Sequence, residues 1–167
     1  YSSAASDVYK RQSVGSAIAR RLRAFDVQTV GINRSGHPAA EFDQTQPTCR
    51  LDDLLPLADL VSCAMPLTAE TAGLFDSVRL AKIKPGAVFV NVARGKVTDQ
   101  QALVEALQSG QLSGAVLDVF EEEPLPRSSP LWDMEQVILT PHNSFVGEHN
   151  GERLFRLFCK NLESFAQ

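Results

Sequence analysis

The sequence predicts an α/β fold: a doubly wound parallel sheet that is expected to lack its first strand. Three observations predict it. Short apolar segments alternate with segments of helical period from residue 13 onwards, which is typical of a parallel sheet with helices on both faces. Polar residues gather directly after the apolar segments, at the edge where such sheets bind ligands. The regular pattern opens on a helix, whereas this fold class normally opens on an apolar strand.

The first twelve residues, YSSAASDVYKRQ, are small and polar and show neither a helical nor a strand period. We interpret 1–12 as a non-native or disordered leader and leave it out of the fold prediction. A helix follows the leader, because its apolar residues recur on one face: Val14, Ala17, Ile18, Leu22 and Phe25.

The other elements are predicted from apolar runs, helical spacing and turn residues. A polar loop is expected at 33–47, and Pro85-Gly86 and Gly110 are expected to end helices. Apolar runs predict strands at 27–32, 60–65, 87–92, 114–119 and 137–139. Helical spacing predicts helices at 52–58, 77–82, 99–109 and 148–165, the last with Leu154, Phe158, Leu162 and Phe165 in line.

Composition excludes several classes of protein. The chain is 44% hydrophobic and 22% charged, so it can bury a core. Its net charge of −4 argues against a nucleic-acid partner, and its apolar runs are too short to cross a membrane. Cys49, Cys63 and Cys159 fit neither a zinc pattern nor a disulfide framework. They predict reduced thiols in a cytoplasmic protein.

A dinucleotide site is predicted where the first helix begins. The glycine motif G-x-G-x-x-G would place its last glycine at Gly15 and the other two at Lys10 and Gln12. Ser13, Val14 and Gly15 are therefore candidate phosphate-binding residues. A lone glycine there is more often structural, but the strand and helix pattern that follows favours a Rossmann-like nucleotide fold.

The choice of cofactor depends on the residues after the next strand. An acid about 20 residues beyond the glycine motif would favour NAD, because it binds the ribose hydroxyl. This chain has Asn33, Arg34 and Ser35 there, and an arginine beside a hydroxyl can hold a 2′-phosphate. We therefore expect NADP in preference to NAD. The alternative is that Arg34 is a solvated loop residue.

Three segments directly follow predicted strands: Asn91-Val92-Ala93-Arg94-Gly95, the run from Asp118 to Pro124, and Thr140-Pro141-His142. In their order and spacing they resemble the coenzyme domain of D-isomer-specific 2-hydroxyacid dehydrogenases. The resemblance extends over about 13–167 and implies 13–145 as the dinucleotide-binding domain. It also implies that 146–167 is a helix crossing toward a substrate domain that this chain does not contain, so little activity is expected of the isolated chain.

The resemblance implies a role for each candidate residue. Arg94 would bind the carboxylate of a small 2-keto or 2-hydroxy acid, His142 would exchange the proton with the carbonyl oxygen, and Glu123 would orient the imidazole. Asp118 would hold the nicotinamide carboxamide. The residues that complete the expected cofactor site follow strands: Pro66, Thr71, Val92 and Ala93.

Several alternatives remain open at this point. Relatives of this fold include dinucleotide-sensing corepressors, so a binding module without turnover is the second hypothesis. A short-chain dehydrogenase is disfavoured, because neither Tyr1 nor Tyr9 has a lysine four residues on. Phe145 could narrow the substrate pocket or simply pack, and His37 and His149 are interpreted as surface residues. A homodimer through the coenzyme domain is implied by resemblance only.

Overall fold

The computed structural model describes residues 14–144 and 146–165. The leader at 1–12, Ser13 and Phe145 lie outside the described residues. No helix in the described part of the chain is long and apolar enough to cross a membrane.

Among the described residues, six parallel strands form two sheets. Their bounds are β1 (Val30–Asn33), β2 (Gln44–Pro47), β3 (Leu60–Cys63), β4 (Ala87–Asn91), β5 (Leu112–Leu117) and β6 (Val137–Leu139). β1 pairs with β2, and the larger sheet has the order β3-β4-β5-β6. The parallel α/β prediction is confirmed. No strand among the described residues joins β1 to β3.

Five α-helices in this part of the chain accompany the strands. They are α1 (14–22), α2 (Leu51–Leu54), α3 (Ser77–Lys82), α4 (Gln100–Gln108) and α5 (Asn150–Phe165). Side-chain caps start two of them: Asp76 accepts the N–H of Arg79 at 2.9 Å, and Asp99 accepts that of Ala102 at 3.0 Å. Gly110 follows α4 with a φ of 75°, a left-handed conformation that suits glycine at a helix end.

The prediction of a continuous loop at 33–47 is wrong, because its last part forms β2. Gln44–Pro47 carries no apolar alternation, since it is an outer strand with no fully buried side chain. Its position is fixed by hydrogen bonds instead. The Asp43 carboxylate accepts the N–H and the hydroxyl of Thr29 at 2.8 and 2.9 Å. Pro47 is tolerated because it ends an edge strand.

The core lies between the larger sheet and helices α2 to α4. Phe89 of β4 is 0% exposed, and its ring meets that of Phe75 edge-on with centroids 5.2 Å apart. Further fully buried side chains come from the helices and their connections: Leu55, Leu80, Ile83, Leu103 and Leu131. In contrast, the apolar residues of α5 are exposed, among them Leu154, Phe158 and Phe165. The core therefore supports β4 to β6 and the loops that follow them.

We predict that Phe89→Ala lowers the free energy of unfolding by about 3–5 kcal/mol, because it removes a fully buried ring and leaves a cavity. Phe25→Ala is the matched control, since Phe25 is 78% exposed and should change stability by about 0.5 kcal/mol or less. Urea unfolding of both variants measures the difference. Equal losses would contradict this placement of the core.

Candidate active site

The three predicted catalytic residues meet at the carboxyl ends of neighbouring strands. Arg94 follows β4, Glu123 follows β5 and His142 follows β6. They line one cavity of about 300 Å³, together with Leu67, Gly95, Lys96, Phe120 and Glu121. Residues distant in the chain are thus brought to one site by the parallel sheet.

The closest contact in this cavity joins His142 to Glu123. Nδ1 of the imidazole lies 2.6 Å from Oε2 of the carboxylate. The other carboxylate oxygen, Oε1, accepts the backbone N–H of Phe120 at 3.0 Å, so the acid is itself fixed. A carboxylate at Nδ1 holds the proton there and orients the ring. Proton exchange with a substrate oxygen would then use Nε2.

The electrostatics keep Glu123 ionised. Partial burial favours the neutral acid. However, the hydrogen bond from His142, the N–H of Phe120 and the charges of His142 and Arg94 outweigh it, so the pKa of Glu123 lies below its ordinary value. The side chains of Glu123 and His142 are 35% and 38% exposed, which leaves the pair accessible from the cavity.

His142 occupies a tight turn whose backbone is held by Asp118. The φ of His142 is 51°, and its N–H donates to the carbonyl of Thr140 at 3.0 Å. Asp118 is 1% exposed. Its Oδ1 accepts the Thr140 hydroxyl at 2.5 Å and the N–H of Asn143 at 3.0 Å, and its Oδ2 accepts the N–H of Ser144 at 3.1 Å. The predicted contact of Asp118 with a nicotinamide carboxamide stays a prediction.

Arg94 is positioned by Asn91, a residue to which the sequence pattern assigned no role of its own. Asn91 is 2% exposed. Its Oδ1 accepts the N–H of Ala93 at 3.0 Å, and its Nδ2 donates to the Arg94 carbonyl and the Thr98 hydroxyl at 3.2 and 3.3 Å. The sequence signal that could have identified Asn91 is its position as a polar residue at the end of an otherwise apolar strand. The Arg94 side chain is exposed at the cavity, and its Nη1 donates to the Ala93 carbonyl at 2.7 Å.

Gly95 is the second residue whose importance the sequence pattern did not reveal. A Cβ atom at this position would lie 1.8 Å from the carbonyl oxygen and 1.9 Å from the carbonyl carbon of Phe120. Since both atoms belong to the backbone, no side-chain movement could make room. Only glycine allows the loop after β4 to pack against the loop that carries Glu123.

The predicted cofactor residues among the described ones do not line this cavity. Within the loop after β3, Thr71 Oγ1 donates to the Pro66 carbonyl at 2.5 Å and accepts the N–H of Thr68 at 2.8 Å. Val92 is partly exposed and Ala93 is buried beside Arg94. Thr71 thus closes its own loop.

The residues after β1 form a turn linked to that loop. Asn33 Oδ1 accepts the N–H groups of Ser35 and Gly36 at 3.2 and 2.6 Å. Arg34 extends outward, and its guanidinium contacts the carboxylate of Glu70 at 3.2 Å, with both side chains largely exposed. The Arg34–Glu70 pair is open to exchange with another anion, because exposed ion pairs contribute little stability.

The remaining predicted cofactor residues open the first helix. Val14 is exposed, and the backbone of Gly15 lies near the Phe42 ring, since a Cβ atom at Gly15 would be 3.7 Å from that ring. The N–H groups of a first helical turn lack partners within the helix and suit phosphate oxygens.

We predict that His142→Gly raises the pKa of Glu123. Glycine keeps the positive φ, while the variant loses the strongest hydrogen bond and charge that oppose burial. The lowered pKa in the folded state gives stability that is present above the unfolded value, about 4.3, and is lost as pH falls through the folded value. This pH-dependent contribution should shrink in the variant.

Carboxyl ¹³C NMR titration of Glu123 measures this effect. His37→Gly serves as the control, because His37 lies in the exposed loop after β1. An unchanged Glu123 titration in His142→Gly would show that the contact at 2.6 Å does not set the charge of the acid.

Comparison with known proteins identifies the family. A sequence model of the D-isomer specific 2-hydroxyacid dehydrogenase NAD binding domain matches residues 12–144. Glyoxylate/hydroxypyruvate reductase B of Citrobacter koseri is 45% identical over 130 residues, which are 77% of this chain and 40% of that protein.

Two crystal structures extend the comparison. A D-isomer specific 2-hydroxyacid dehydrogenase family protein of Aeromonas salmonicida superposes with a TM-score of 0.84 at 40% identity, over 92% of this chain and 49% of that one. The NADPH-dependent glyoxylate/hydroxypyruvate reductase of Sinorhizobium meliloti, in complex with NADP and sulfate, gives 0.82 at 33% identity, over 91% and 49%. The chain spans about half or less of these proteins. It belongs to the D-isomer specific 2-hydroxyacid dehydrogenase family and matches the NAD-binding domain of that family.

Proposed function

We propose that this chain is the coenzyme-binding half of an oxidoreductase that transfers a hydride between NAD(P)H and a small 2-keto or 2-hydroxy acid. The observation that carries the proposal is the cavity in which Arg94 stands beside the His142–Glu123 pair. A 2-keto acid presents a carboxylate next to a carbonyl, and this cavity offers a guanidinium and an imidazole for those two groups.

Each residue then has a defined task. The Arg94 guanidinium binds the substrate carboxylate and fixes the orientation of the carbonyl. The dinucleotide, when bound, supplies the hydride to the carbonyl carbon. His142 donates the proton to the carbonyl oxygen through Nε2 and accepts it in the reverse reaction. Glu123 orients the ring through its contact with Nδ1.

The substrate class and the missing cleft wall are proposed from the relatives. The Citrobacter koseri and Sinorhizobium meliloti proteins are named for glyoxylate and hydroxypyruvate, which are small enough for a site of this kind. Because this chain spans about half of their length, we propose that a substrate domain supplies the other wall and excludes water. We also propose a homodimer through this domain, in the cytoplasm.

The test is an activity assay of the full-length protein that contains this domain. It should reduce glyoxylate or hydroxypyruvate with NAD(P)H, whereas the 167-residue chain alone should show little or no turnover. Arg94→Ala should lower kcat/KM about 10- to 100-fold, because it removes charge-assisted hydrogen bonds to the substrate. Arg127→Ala, an exposed arginine after Glu123, is the matched control. Equal activity of Arg94→Ala and the parent would refute the proposed site and favour a binding module.

We propose NADP as the preferred cofactor. Arg34 and Ser35 follow β1, and the Arg34 side chain is 87% exposed. A 2′-phosphate carries more charge than the Glu70 carboxylate and can replace it at Arg34. The Sinorhizobium meliloti structure, which has the same fold, contains NADP.

Arg34→Gln should weaken NADPH binding about tenfold and leave NADH binding nearly unchanged, because only NADPH carries the 2′-phosphate. Fluorescence titration of the chain with each nucleotide measures the two affinities. Arg50→Gln, at an exposed arginine paired with Asp53, should change neither. Comparable or better efficiency with NADH in the parent protein would overturn the NADP preference.

A further inference from the structure

Asp118 makes a set of contacts that the proposed chemistry does not require. It is the only buried acidic residue in the described part of the chain. Its carboxylate accepts hydrogen bonds from the segment around His142, among them those of the Thr140 hydroxyl, the Asn143 N–H and the Ser144 N–H. One carboxylate thus holds the chain on both sides of His142.

The anchoring point of this carboxylate is rigid. Asp118 directly follows β5, and its own N–H donates to the carbonyl of Asn91 at 3.0 Å. Asn91 ends β4 and also organises the loop that carries Arg94. The segment around His142 is therefore tied to the two central strands of the larger sheet.

The segment itself has little regular structure to hold it. Residues 140–144 follow β6 without forming a helix or strand, and His142 has a φ of 51°. That conformation is uncommon for residues other than glycine, so neighbouring contacts must maintain it. Burial of the Asp118 charge is costly unless its oxygens accept hydrogen bonds. The same donors therefore stabilise both the acid and the turn.

We propose that Asp118 is the positioning residue for His142: it holds residues 140–144 in the conformation in which the imidazole meets Glu123. The proposal deepens the proposed function and rests on it, since it concerns the residue that would exchange the proton. The alternative is the contact with a nicotinamide carboxamide that the family resemblance implies for Asp118, and variants of Asp118 and Thr140 distinguish the two roles.

Asp118→Asn in the 167-residue chain tests this role. The amide keeps the shape of the side chain but replaces one acceptor oxygen by a donor, which cannot accept an N–H or hydroxyl. The readout is the NMR signal of the His142 Nδ1 proton in ¹⁵N-histidine-labelled chain, because a short hydrogen bond to a carboxylate shifts and protects that proton. We expect the downfield signal in the parent chain and its loss in the variant.

A matched control separates positioning from general destabilisation. Asp76→Asn alters a carboxylate that also accepts a backbone N–H, at the start of α3 and away from the cavity. It should lower stability and leave the His142 signal unchanged. Thr140→Val removes one donor and keeps the side-chain shape, and it should broaden or weaken the signal.

The outcomes decide between a positioning role and a cofactor contact. A folded Asp118→Asn chain that keeps the parent signal would overturn the proposal. So would a variant that binds NADPH more weakly while its His142 signal is unchanged, because Asp118 would then act on the cofactor. If Asp118→Asn does not fold, Thr140→Val decides, and an unaltered signal there refutes the role. None of these readouts needs turnover, so the proposed function can fail while this proposal stands.

Discussion

The candidate site depends on the close packing of the backbone at Gly95 against the carbonyl of Phe120. Arg94 and Glu123 belong to loops after different strands, and these loops face one cavity only because they touch at this point. Parallel pairing of β4 and β5 brings the two loops to the same edge of the sheet. The absence of a side chain at Gly95 then allows the short distance between these two loops. Hydrogen bonds from the Asn91 side chain hold the loop that carries Arg94.

Two carboxylates near His142 are charged for different reasons. Glu123 is partly exposed and is held ionised mainly by its contacts with His142 and Phe120. Asp118 is buried, which favours its neutral form. Hydrogen bonds from Ser144, Thr140 and Asn143 nevertheless keep the pKa of Asp118 below its ordinary value. One acid therefore contacts the imidazole directly, while the other contacts only the backbone and hydroxyl groups around it.

Much of the fold could be predicted from the sequence where burial follows a pattern. Helix 77–82 and strand 137–139 have their predicted bounds. β2 could not be predicted, since an exposed edge strand needs no apolar alternation. Arg94, Glu123 and His142 stand out as polar residues after predicted strands, and their roles were implied by the family resemblance. The positioning roles of Asn91 and Gly95 depend on side-chain direction and backbone distance, which spacing along the chain does not encode.

The left-handed backbone of His142 also limits which residues could replace it. Histidine, asparagine and aspartate are the residues other than glycine that adopt this region most readily. Asparagine at this position would satisfy the same backbone and the same turn, yet it has no titratable nitrogen to exchange a proton. A His142→Asn substitution would thus remove the proposed proton exchange while the backbone of the domain stayed the same.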